Sequence, residues 1–157
     1  MQKTLEDVAT QNIIAVNKEV AAKYKLLLAL SREVENRTDD IETFLDEMSG
    51  IVDVYQFKRI GYVDSDGVTH TTDGYEQDLS YREFYQQSMM GNTMITDAME
   101  DSIGDLHELI NVFSVPVYNE DHSKVQGVLF ATYQTENFKD ILNVECFDGQ
   151  GYGCILD

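Results

Sequence analysis

Residues 3–35 limit the fold more than any other stretch. Leu5, Ala9, Ile13, Val16, Val20, Tyr24, Leu27, Leu30 and Val34 recur at steps of three or four, and neither Gly nor Pro interrupts them. This period predicts one long amphipathic helix. At about 1.5 Å per residue it runs roughly 50 Å, longer than a domain of this size is wide. Part of it therefore projects from the fold or pairs with another helix.

A second, short helix is expected to carry Ile41, Phe44, Leu45 and Met48, with Thr38 or Asp39 as its N-cap and Gly50 at its end. After Gly50 the apolar period turns strand-like. Val52, Val54, Phe57, Ile60, Tyr62 and Val63 lead into the turn Asp64-Ser65-Asp66-Gly67, and the β-favouring run 68–72 completes a hairpin. Residues 80–90 suit a helix capped by Ser80 with Glu83 three positions on, the capping-box spacing, and Gly91-Asn92 breaks it. Strands follow over residues 93–98, 109–118 and 125–133, and a last helix begins near Glu136. The fold class is α+β: an antiparallel sheet of about five strands with the long N-terminal helix and short helices packed on it. A sheet with one covered face leaves the other free for a pocket.

Charge narrows the choice of partners. The 157 residues carry 29 Asp and Glu against 11 Lys and Arg, a formal net charge of −18. Only five of the basic residues lie beyond residue 37, against twenty-four acidic ones. Such a body repels nucleic acid and anionic membrane surfaces. The longest apolar run, residues 26–30, is far short of the roughly 20 residues that cross a bilayer, and no secretory signal is present. Composition alone fits either a cytosolic protein or a piece from between membrane anchors.

No catalytic or metal constellation emerges, and no cofactor is implied. His70, His107 and His122 fall on a strand, a loop edge and a turn with no converging spacing. Asp64-Ser65-Asp66-Gly67 opens like a calcium loop but lacks the third carboxylate and the closing Glu, so it is assigned to the hairpin. Cys146 and Cys154 lie too far apart for a CxxC pair, and both a disulfide and two unlinked thiols fit their spacing.

One segment has a family character. Asp78-Leu79-Ser80-Tyr81-Arg82-Glu83-Phe84-Tyr85, followed by Gly91, resembles the helix signature of the Cache superfamily of sensor domains. Gly61 to Gly67 resembles that family's first hairpin, and Val115-Pro116-Val117-Tyr118 with Gly127-Val128-Leu129 resembles its later strands. The resemblance covers residues 3–142. It implies a PAS-like sheet of about five strands, an extracellular location on a membrane-anchored bacterial receptor, and a small polar or anionic metabolite as partner, with any catalytic output domain outside this chain. Residues 149–157 are similar to the opening of a second Cache lobe, so residues 143–157 are read as an extension and the chain as the membrane-distal lobe.

The candidate ligand-binding residues are Arg82, Phe84, Tyr85, Ser114 and Thr132. Arg82 offers a carboxylate-matching fork beside aromatic walls. The amino-acid-binding Cache pattern has a Tyr five residues before the Arg, a Trp two after it and an Asp at the position of Thr132. Here Gln77, Phe84 and Thr132 stand there, which argues against an α-amino acid. The rival reading is a non-binding dimerisation module that acts through the N-terminal helix, the same stripe through which a sensor pairs as a homodimer.

Overall fold

The computed structural model describes residues 5–37, 40–96, 98–103, 107–135 and 154–156, with side chains from residue 21 to residue 135. The element order is α1 (Leu5–Asn36), α2 (Ile41–Ser49), β1 (Arg59–Asp64), β2 (Val68–Thr71), β3 (Glu76–Asp78), α3 (Glu83–Met89), β4 (Thr93–Ile95), β5 (Met99–Glu100), β6 (Leu109–Tyr118), β7 (Val125–Gln134) and β8 (Cys154–Leu156). The strands form one antiparallel sheet in the order β3-β2-β1-β7-β6-β4-β8, with β5 also on β6. Strands β2, β1, β7, β6 and β4 form the expected five-stranded PAS-like core, to which the short strands β3, β5 and β8 are added. The helix expected near Glu136, and Cys146, lie outside the described residues.

The sheet is covered on both faces, so the expectation of one free face gives way. On one side Leu27 and Leu30 of α1 and Phe44, Leu45 and Met48 of α2 pack on Ile60, Phe113, Val115, Leu129 and Ala131. On the other, Phe84 and Tyr85 of α3 pack with Leu79 and Ile103 on Val63, Val112, Val128 and Phe130. Strand side chains alternate between the two clusters, residue by residue, as the pleat requires. A strand covered on both faces cannot show polar alternation, which is why β6 and β7 read as near-continuous apolar runs. Each fully buried Leu or Phe contributes about 1.5–3 kcal/mol.

Local chemistry corrects three expected boundaries. Asp40, not Thr38 or Asp39, caps α2: its carboxylate accepts from Thr43 N at 2.9 Å and from Thr43 Oγ1 at 2.8 Å. Residues 51–56 are not strand but successive turns, closed by Tyr55 N to Ile51 O and Phe57 N to Val52 O, and Gln56 at φ 62° ends them. Strand β1 begins only at Arg59. The capping box at Ser80 does not form, because Ser80 N donates to Asp78 Oδ1 at 2.8 Å and the helix starts at Glu83 behind Arg82, which makes no side-chain cap. The first hairpin is as expected: Asp64 Oδ1 accepts from Asp66 N and Val68 N, and Gly67 turns at φ 86°.

Pro116 sits within β6 without breaking it. Val112 O accepts from Thr96 N and Val112 N donates to Thr96 Oγ1, so the even residues of β6 aim their backbone groups toward β4. Strand β4 pairs with β6 only at Phe113 and Ser114. The N–H that Pro116 lacks therefore falls past the end of that ladder, where no strand bond is lost.

Gly127 on β7 explains physically the Gly of its Gly-Val-Leu segment. A Cβ there would stand 2.8 Å from the Val63 carbonyl oxygen and overlap the Tyr62 ring. Gly127→Ala is expected to destabilise the fold by about 1–3 kcal/mol through overpacking. A lowered urea midpoint with an unchanged slope checks this.

Candidate functional site

Helix α3 and the segment 101–103 together cover the second face of the sheet. Tyr85, which is buried, donates from its hydroxyl to Asp64 O at 2.9 Å and so ties the helix to the end of β1. Burial first, then the carboxylates of Asp64, Asp66 and Asp78, raise its pKa, so the phenol stays a donor. Phe84 lies on Phe130 with ring centroids 5.3 Å apart. Ser114, also buried, bonds Ser88 Oγ at 2.8 Å and donates to Phe84 O at 3.4 Å. These three expected residues are thus brought together around α3.

Arg82 stands at the mouth of that helix. Its guanidinium lies over the Tyr81 ring, 5.2 Å from the centroid, and among the described residues no carboxylate forms an ion pair with it. Tyr81 is itself 60% exposed. Thr132 belongs to a different part of the same face. It is buried on β7 opposite Arg59 of β1 and Val112 of β6.

Around Thr132 the structure reveals a charged group that sequence reasoning passed over. Arg59 is 2% exposed and Asp101 1%. Arg59 Nη1 donates to Asp101 Oδ2 at 2.8 Å and its Nε to Asp73 Oδ2 at 2.9 Å. Lys58 Nζ lies 2.6 Å from the same Asp101 oxygen and 3.4 Å from Glu108 Oε2. The other Asp101 oxygen accepts from Ile103 N at 3.0 Å. Burial alone pushes the Asp101 carboxyl up, but the bonds from Lys58, Ile103 and Arg59 together hold it below the usual carboxylate range. Gln77, where the family pattern has a Tyr, donates to Ser102 O at 3.1 Å and holds the cover segment down from β3. One signal was available: Lys58 and Arg59 are two of the five basic residues past residue 37.

One further feature lies on this face and another on the α2 side of the sheet. The Thr69 hydroxyl is fully buried on β2 with no hydrogen-bond partner, opposite Val63 and Gln77. A cleft of about 290 Å³ lies beside the sheet edge between α2 and β2, lined by Glu42, Asp46, His70, Tyr75 and Glu76 among others. Among the described residues no group of three or more His, Cys, Asp or Glu gathers as a metal site. No described helix is long and apolar enough to cross a membrane.

This architecture is that of known sensor ectodomains. The fold matches the sensory domain of the Campylobacter jejuni chemoreceptor Tlp3 with isoleucine bound at a TM-score of 0.66 and 16% identity, over 86% of this chain and 60% of that one. It matches the ligand-binding domain of the Pseudomonas aeruginosa amino acid chemoreceptor PctC, in complex with GABA, at 0.70 and 14%, over 89% and 67%. The extracellular domain of rpHK1S-Z16, named as a histidine kinase, matches at 0.70 and 16%, over 91% and 61%. This chain therefore spans about three fifths of the Tlp3 domain. No family model matches the chain, and no curated protein sequence does. What the structural matches establish is the fold of Cache-type ligand-binding sensory domains, the fold that the sequence resembles.

The buried charge group predicts an acid response. A carboxyl with a depressed folded pKa contributes stability that is present above its unfolded value, about 3.9, and is lost as pH falls through the folded one. Asp101→Asn removes one partner of a buried ion pair and should cost about 3–5 kcal/mol at pH 7. The gap between wild type and variant should narrow once the pH drops below about 3.9, as urea midpoints at pH 7 and pH 3 measure.

Proposed function

We propose that the chain is an extracellular small-molecule sensing lobe of a bacterial transmembrane receptor, the membrane-distal lobe of a two-lobed ectodomain, and that its ligand binds on the α3 face. The observation that carries the reading is Arg82: a cation with no carboxylate partner among the described residues, at the rim of a face walled by Phe84, Tyr85, Ser114 and Thr132, in a fold whose solved examples hold isoleucine and GABA. In so acidic a chain an unpaired guanidinium beside aromatic walls suits the anionic end of a small solute. The chain's part in this reading is binding, and catalysis belongs to an output domain elsewhere in the receptor.

The output runs through α1. Its C-terminal half packs on β6 and β7, and Glu35 near its end accepts from Tyr118 N at 2.9 Å, so the helix is pinned to the last residue of β6. A ligand that biases the sheet between two packings shifts the helix with it. In the full receptor α1 pairs with its counterpart in a second copy.

A charge-assisted bond contributes about 1.5–3 kcal/mol, so Arg82→Ala should weaken a ligand found by thermal-shift screening by roughly ten- to more than a hundredfold. Stability should barely change, because the guanidinium stacks on exposed Tyr81 and makes no ion pair among the described residues. Unchanged affinity in a folded variant would sink the assignment of the site.

A further inference from the structure

Resting on the sensor reading above, we propose that Lys58 is a built-in ammonium that fills the acidic end of the site, so that the ligand is a small carboxylate carrying no amine. An ammonium ligand needs a desolvated carboxylate with a free lone pair. Asp101 is the one carboxylate among the described residues that is fully buried, and it belongs to the segment closing the α3 face, two residues from Ile103 in the Phe84–Phe130 cluster. Both its oxygens are taken, one by Lys58 and Arg59 and the other by Ile103 N. The flanking carboxylates are engaged as well: Asp73 by Arg59, and Glu108 by Lys58 and by Gln134 Nε2 at 2.6 Å.

Lys58 does what the ligand's own amine would do. Its Nζ sits 2.6 Å from Asp101 Oδ2, and its side chain is only 14% exposed. An incoming ammonium would have to displace that bond and then face two cations, Lys58 and Arg59. Among the described residues, this face otherwise offers the partnerless Thr69 hydroxyl, the buried Thr132 side chain and Arg82 at the rim, while the carboxylates near Tyr85 are solvated, Asp66 and Asp78 exposed and Asp64 half-buried, with Asp64 and Asp78 also engaged by backbone N–H groups. Three of the five basic residues past residue 37 thus serve this face or its edge. Hydroxyls and a guanidinium take carboxylate and hydroxyl oxygens, and solvated carboxylates offer an ammonium little.

Matched compounds that differ by one amine test this: butyrate against 4-aminobutyrate, 4-methylvalerate against leucine, and succinate against aspartate, each by thermal shift and then by calorimetry. Wild type should bind an amine-free member of a pair and discriminate against its amino partner by about tenfold or more, the scale of one charge-assisted bond. Lys58→Met should erase that preference by freeing one of the two donor positions on Asp101 Oδ2, the other staying with Arg59, while Lys58→Arg, which keeps the charge, should retain it. An amino acid that binds wild type as tightly as its amine-free partner overturns the proposal. So does a preference that survives Lys58→Met in a folded protein. If no member of any pair binds, the proposal falls. The sensor reading is then decided separately, by whether a hit from a wider screen loses affinity in Arg82→Ala.

Discussion

The pairing of β6 with β7 is the constraint on which everything else in this lobe depends. The register runs unbroken from Ile110–Gln134 to Val117–Gly127 before a bulge at Tyr118. Both strands are buried on both faces along almost their whole length. Because of this, α1 and α2 have an apolar platform on one side and α3 has one on the other, with β1 hydrogen-bonded alongside β7. A slip of one residue in this register would exchange the two faces, putting Phe113 and Leu129 under α3 and Phe130 under α1. Gly127 guards against such a slip at one end, since only a residue without Cβ fits beneath Tyr62.

The two faces differ in polarity. The α1 and α2 side is an apolar core whose packing is that of any stable domain. The α3 side mixes Phe84, Phe130 and Val112 with buried Arg59, Asp101, Ser114, Thr69 and Thr132. Burying so many polar groups works against stability unless each is paired. Most are paired, but among the described residues of this face the Thr69 hydroxyl has no hydrogen-bond partner. Unpaired buried groups are tolerated where something other than the protein completes them.

Local signals were legible in the sequence and long-range ones were not. The α1 stripe from Tyr24 onward and the Asp64–Gly67 turn are fixed by residues a few positions apart, and the structure has them where expected. The Ser80 cap failed for an equally local reason, competition from Asp78 for the same N–H. Of the site, α3 with Phe84 and Tyr85 was readable from its segment, and Thr132 from its place in the resembling strand. Asp101 could not be found this way, because its partners Lys58 and Arg59 lie 43 and 42 residues earlier in the chain. Nothing short of the β1–β7–β6 register says that those positions meet. The adjacent cations in an acidic chain were the only hint, and they named a suspect without naming its partner.

The alternation of β7 joins the polar face to the helix that leaves the lobe. Thr132 looks toward Arg59 and the α3 side, whereas the next residue, Tyr133, looks the other way. Its ring lies 4.7 Å from Phe57 and 5.5 Å from Phe113, and Lys23 of α1 sits over it at 5.4 Å. Consecutive residues of a strand share one rigid peptide unit, so whatever moves Thr132 moves Tyr133 against α1. A close-packed core transmits such a shift as a repacking and does not absorb it. The buried ion pairs at Arg59 hold β1 beside the same residue, so the buried charge group and the helix contact are anchored to one stretch of β7 only two residues long. That short lever couples the packing on the two sides of the sheet.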